Sequence, residues 1–202
     1  MRISPTQYSN VLQINQGGKG IPYGGIGQIR EDGEANYGFK NLKGSPERIA
    51  EVPELQDDDA LRDLIVSLNQ PESAFATIGC VSGPVHEQQG HRVSGYVEFA
   101  FNSVEAVADA ASYFPIFFHF DRALHSLKFD DQVHFHWELM AATFVFLVEA
   151  RGFTMTVTVN TGWYADEAGA TLAWQNGLNF LAKYLTQVPR AEGPSLFKNA
   201  MN

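Results

Sequence analysis

The chain contains one cysteine, Cys80, in 202 residues. No intrachain disulfide can form, so the fold must be held by packing alone. A chain of this length can bury about 70% of its unfolded surface and needs no covalent staple. Long apolar runs are also missing. The most apolar stretch, ASYFPIFFHF, carries Pro115 and His119 and is too short to cross a bilayer. The N-terminal MRISPTQYSNVLQINQGG lacks the apolar core of a secretory signal. Basic residues are scarce, with 14 Lys and Arg against 23 Asp and Glu, for a net charge of −9. A phosphate backbone is repelled by that charge, which argues against nucleic-acid binding. These absences imply a soluble, cytoplasmic protein with neither a membrane nor a nucleic-acid partner. Internal repeats and low-complexity tracts are absent too.

Two phosphate-binding fingerprints are incomplete. GGKGIPYGGIG crowds Gly17, Gly18, Gly20, Gly24, Gly25 and Gly27 around Lys19. A P-loop requires Ser or Thr after its lysine, and Gly20 stands there instead. The dinucleotide fingerprint requires a third glycine where Gln28-Ile29-Arg30 follows. A flexible arm that orders on a partner suits this stretch better.

Aromatic residues are abundant, with 15 Phe, 7 Tyr and 3 Trp, and such side chains fill cores and anchor interfaces. Their spacing sets the expected elements. Residues 1–56 read as a Gly-rich arm or small β-meander, with short strands at NVLQI, GIGQIR and NYGFKN and a turn at Asp32-Gly33. One of Asp57, Asp58 and Asp59 caps a first helix, whose Leu61, Leu64, Ile65 and Leu68 form one apolar face. AFATIGCVSG and RVSGYVEFAF form a hairpin around PVHEQQGH. Asn102 and Glu105 open a helix that runs toward Leu127, with a kink or break expected at Pro115.

QVHFHWEL, ATFVFLVE and FTMTVTVN then read as three strands, with turns at Met140-Ala141 and Arg151-Gly152. Such short connections imply an antiparallel meander. The period of two places Phe135, Trp137 and Leu139 on one face with Phe144, Phe146 and Val148, and with Phe153, Met155, Val157 and Val159. A last helix capped by Asp166 covers that face with Ala170, Trp174, Leu178, Leu181 and Leu185, and Gly177 in the same stripe permits close contact. The expected fold is α+β: an antiparallel sheet of at least a three-stranded meander plus a hairpin, with helices on one side. Residues 57–188 form its core domain and 189–202 a tail.

The second sheet face carries the candidate chemistry. His134, His136 and Glu138 alternate along one strand, and Thr154, Thr156, Thr158 and Asn160 along another. Residues two apart on a strand lie about 6.6 Å apart and point the same way. Two imidazoles at that spacing can share a Zn or Fe ion at about 2.0–2.1 Å. Glu138 lies about 13 Å from His134, so a third ligand must come from elsewhere. Cys80 could act as a nucleophile only beside a histidine such as His86 or His91. FFHFDRALH places Arg122 and His125 on one helix face, which reads as the polar edge of an amphipathic helix.

No catalytic set is convincing, so the chain reads as a non-enzymatic binding protein of the inhibitor, immunity or interaction-domain type. It would act on a protein partner or form a homodimer, through an acidic, aromatic-containing surface and without a cofactor. Two alternatives stay open. One is a metal-dependent hydrolase using His134 and His136. The other is a small-ligand module on the polar face, with His134, His136, Thr154, Thr156, Thr158 and Asn160 as its lining.

Overall fold

The computed structural model describes residues 8–22, 28–29, 35–36, 38–126, 131–145 and 150–197. Their strands are β1 (Tyr8–Ile21), β2 (Gln28–Ile29), β3 (Ala35–Asn36), β4 (Phe75–Glu87), β5 (Gly90–Phe101), β6 (Val133–Phe144) and β7 (Ala150–Thr161). The helices are α1 (Asp59–Leu68), α2 (Val104–Ala108), α3 (Phe114–Ser126) and α4 (Glu167–Leu185). Short 3-10 turns occupy Pro46–Glu51, Pro53–Leu55 and Ala110–Ser112.

Five strands form one open sheet in the order β1-β6-β7-β5-β4, while β2 and β3 pair apart from it. The hairpins β4–β5 and β6–β7 are antiparallel, as is the β5–β7 pair between them. β1 runs parallel to β6, so the sheet is mixed and not the purely antiparallel one expected from the sequence. Short connections dictate antiparallel neighbours. The β1–β6 pair joins segments more than a hundred residues apart, and no local signal reports it.

The expected three-strand meander is also corrected. Met140-Ala141 is no turn: β6 runs unbroken from Val133 to Phe144. Ala141 pairs with Phe153 of β7 and with Gly18 of β1, so its backbone is held between two strands. Phe146, Val148 and Glu149 lie outside the described residues, as does the Asp32-Gly33 turn.

Each helix starts where the chain supplies an acceptor. Asp58 Oδ1 accepts from Leu61 N at 2.9 Å, and Asp166 Oδ1 from Gly169 N at 2.8 Å. Ser103, not Asn102, caps α2, because Asn102 Oδ1 is taken by Phe197 N at 2.7 Å. The helical stretch breaks at Asp109, whose side chain caps the following 3-10 turn. Pro115 sits in the first turn of α3, where its missing N–H has no partner to lose.

Helices α3 and α4 cover one sheet face. On it Phe135, Val159 and Gly95 lie in one row, and Trp137, Val157 and Val97 in the next. Phe120 of α3 meets Phe135 and Trp137 at 5.0 Å between ring centroids. Trp174 of α4 lies over Gly95, where an added Cβ would come within 2.8 Å of its ring. Gly177 similarly leaves room for Val133, at 3.1 Å from a notional Cβ. Leu42, Ile49 and Leu55 before α1, and Leu196 and Phe197 beyond Pro189, are buried in the same core.

Candidate functional site

The sheet face opposite α3 and α4 gathers the residues singled out from the sequence. Pairing sets them in rows across the strands. Ser9, His134, Asn160 and Ser94 form one row; Val11, His136, Thr158 and Tyr96 the next; Gln13, Glu138, Thr156 and Glu98 the third. His134 is exposed and hydrogen-bonded through Nδ1 to Ser9 Oγ at 2.8 Å. His136 is half-buried between Val11 and Thr158. Glu138 accepts from Asn15 Nδ2 at 2.7 Å, and Asn160 Oδ1 accepts from Ser94 Oγ at 2.6 Å. Thr154 is fully buried, while Thr156 and Thr158 are half-buried.

These contacts bear on the metal reading. His134 and His136 do share a face, but their cross-strand neighbours are amide, hydroxyl and aliphatic side chains. Among the described residues no three His, Cys, Asp or Glu side chains come together. Glu98, in the Glu138 row, is committed to an ion pair with Lys19 Nζ at 2.5 Å. Sequence reasoning missed this pair because Lys19 and Glu98 lie far apart in the chain, on strands that are not neighbours in the sheet.

The glycines of GGKG serve the strand itself. Gly17, Gly18 and Gly20 lie in β1, where the register slips between Asn15 and Gly18. Gly24, Gly25 and Gly27 lie outside the described residues. Cys80 faces Asp58 and Glu54, and burial, helped by those two carboxylates, pushes its thiol up to about 12. His86 and His91 sit near the tip of the β4–β5 hairpin, bonded to each other through Nδ1 at 2.8 Å. No thiol–imidazole pair is assembled, and Cys80 stays a protonated packing residue.

Two further features were not legible in the sequence. The first is the outer edge of the sheet. β1 spans 14 residues, pairs on one side with β6, and holds one charged residue, Lys19, and no proline. Val11 is 50% and Ile14 54% exposed along it. Natural edge strands are usually blunted by charge, proline or brevity. β1 shows none of these from Tyr8 to Gly18. The second feature is a groove of about 840 Å³ between α3 and the chain after α4. Pro115, His119 and Arg122 line it at helical spacing, the i, i+4, i+7 signal that could have marked this face.

No known protein family, no curated protein and no solved structure matches the chain. No helix among the described residues is long and apolar enough to cross a membrane.

Proposed function

We propose that this chain is a non-enzymatic binding protein that takes up an extended segment of a partner protein along β1. The observation that supports this most directly is the edge itself: a long, nearly uncharged strand with Val11 and Ile14 exposed and with pairing on one side among the described residues. Strand addition draws affinity from main-chain hydrogen bonds and specificity from alternate side chains. The net charge of −9 favours approach of a basic segment, since the field of an acidic protein steers cations toward it. β1 carries no acid of its own, so a basic, β-branched peptide meets apolar side chains at close range and the wider acidic surface beyond them.

A displayed library of random peptides, panned on the full chain, tests this reading. Basic sequences rich in Val, Ile and Thr are expected, and Val11→Lys with Ile14→Lys should abolish their capture. N-methylating alternate amides of a selected peptide should block binding in one alternation and spare it in the other. Enrichment of nothing, or of peptides indifferent to both the variants and the methylation, refutes strand addition. A dimer in sedimentation that Ile14→Lys dissociates would instead assign the edge to a second copy of the chain.

The hydrolase reading lacks a third metal ligand among the described residues, and the small-ligand reading rests on the polar side chains of one sheet face alone. Neither has an observation that favours it over the edge.

A further inference from the structure

The groove beside α3 carries an inference that is independent of the β1 edge. It follows from how the chain closes on itself after α4. Tyr184 Oη donates to Ile116 O at 2.8 Å and ties the end of α4 to the start of α3. The chain then turns at Val188-Pro189 and runs back past α2. Ser103 Oγ donates to Glu192 O at 2.9 Å, Val104 N donates to Pro194 O at 3.0 Å, and Leu196 and Phe197 are buried. The returning segment is therefore anchored at both ends, and α3 is fixed by its aromatic contacts. Between these walls lies an open trough of about 840 Å³, within the range of sites for small organic ligands.

The chemistry of the lining is uneven in a specific way. Phe101, Ile116 and Val188 make an apolar floor and side. Arg122 from α3, Arg190 from the returning segment, and His119 stand exposed around it. Acids outnumber Lys and Arg by 23 to 14 in the whole chain, yet the described lining holds two guanidinium groups and no carboxylate. Asp121, next to Arg122 in sequence, is turned away: its Oδ1 accepts from Asn10 of β1 at 3.1 Å. Arg190 donates to Ser195 Oγ at 3.1 Å, a neutral partner. It also lies close enough to buried Lys43 to help pull that ammonium down.

We infer that the groove binds a small organic monoanion, a carboxylate on an apolar body, with Arg122 and Arg190 on the carboxylate and Phe101, Ile116 and Val188 against the chain. Planar guanidinium groups match a carboxylate in a two-pronged geometry that a neutral head cannot use. An apolar body is required as well, because exposed cations alone are well solvated and bind simple anions weakly.

Decanoate tests this, with decanol as the neutral control and acetate as the control without a chain. Titrations of the full chain followed by calorimetry, with amide chemical shifts to locate the site, should show decanoate binding at least about tenfold tighter than decanol, as expected for a charge-assisted contact. Acetate should not bind measurably. Arg122→Gln with Arg190→Gln should remove the preference for decanoate and leave decanol unchanged. Both side chains are exposed, so the melting temperature should hold, and Arg122→Lys with Arg190→Lys should retain part of the preference. Three results overturn the inference: equal affinity for decanoate and decanol, decanoate affinity unchanged in the double Gln variant, or shifts confined to residues outside the groove. Failure here leaves the β1 reading standing, since the two surfaces share no residue.

Discussion

Replacing Lys43 with Met tests the most heavily buried charge among the described residues. Lys43 is 1% exposed, and its Nζ donates to the carbonyl oxygens of Gln70 at 2.6 Å, Ser73 at 2.8 Å and Phe75 at 2.7 Å. It thereby fastens the segment before α1 to the turn after that helix and to the first residue of β4. Burial, with Arg190 nearby, lowers its ammonium from 10.5 to about 8. At ~1.4 kcal/mol per pH unit that fall corresponds to roughly 3 kcal/mol of cost for the charged form. Methionine keeps most of the apolar stem and removes that cost, but it takes the ammonium donor from three carbonyls, of which Gln70 O still accepts from Ser73 N at 3.0 Å. Each buried unpaired acceptor costs ~1–3 kcal/mol, so the two that lose this donor, with the third bond weakened, outweigh the relief by a small margin. We expect Lys43→Met to destabilise the fold by about 1–2 kcal/mol at pH 7, read as a lower urea midpoint with an unchanged slope.

The pH dependence supplies a second readout. Between about pH 8 and 10.5 the unfolded chain holds a proton on Lys43 that the folded chain has released. Stability contributed by this group therefore rises with pH across that window. Cys80 opposes it above pH 9, because the unfolded thiol ionises at 9 while the folded one stays protonated to about 12. The thiol is common to both proteins, so the difference between wild type and Lys43→Met isolates the lysine. That difference should widen by ~1 kcal/mol from pH 8 to pH 9. A variant as stable as wild type at pH 7, with a parallel pH profile, would refute both the hydrogen-bond accounting and the lowered lysine.

Two further outcomes can be checked on simple variants and labels. Gly95→Ala would place a methyl within 2.8 Å of the Trp174 ring and against the Val81 carbonyl, so a loss of about 2–3 kcal/mol and a drop of roughly 5–10 °C in Tm are expected; an unchanged melt would mean that Trp174 is not seated there. Cys80 should react with iodoacetamide at pH 8 about a thousandfold more slowly than a model thiol, because a shift from 9 to about 12 depletes the thiolate by that factor; labelling at the free-thiol rate in the folded protein would contradict its burial.

Much of the core could be read from spacing alone. Leu61, Leu64, Ile65 and Leu68 are the buried residues of α1, and Asp58 and Asp166 are caps. Phe135, Trp137 and Leu139 face the helices as the alternation required, and His134, His136 and Glu138 face away from them. Gly177 does admit close packing against Val133. Local reasoning failed at Met140-Ala141, where a turn was expected and β6 continues unbroken to Phe144. It failed again at Asn102, whose side chain serves a residue 95 positions away rather than its own helix. It also did not anticipate that Arg122 and Arg190, far apart in the chain, would flank one groove.

The division has a physical basis. Helical and strand periods arise from bonds between near neighbours, so the amphipathic faces, the Asp58 and Asp166 caps and the β4–β5 hairpin are written locally. A single cysteine, the scarcity of basic residues and the incomplete phosphate motifs narrowed the chemistry in the same way, since composition and short spacing are properties of the chain itself. The parallel β1–β6 pair is different: it forms against the entropy cost of closing a loop of more than a hundred residues, and no residue within it records its partner. That pairing sets which strand lies at the edge, and the return of the chain after α4 sets which cations share a groove. Both candidate binding surfaces are products of such long-range closures.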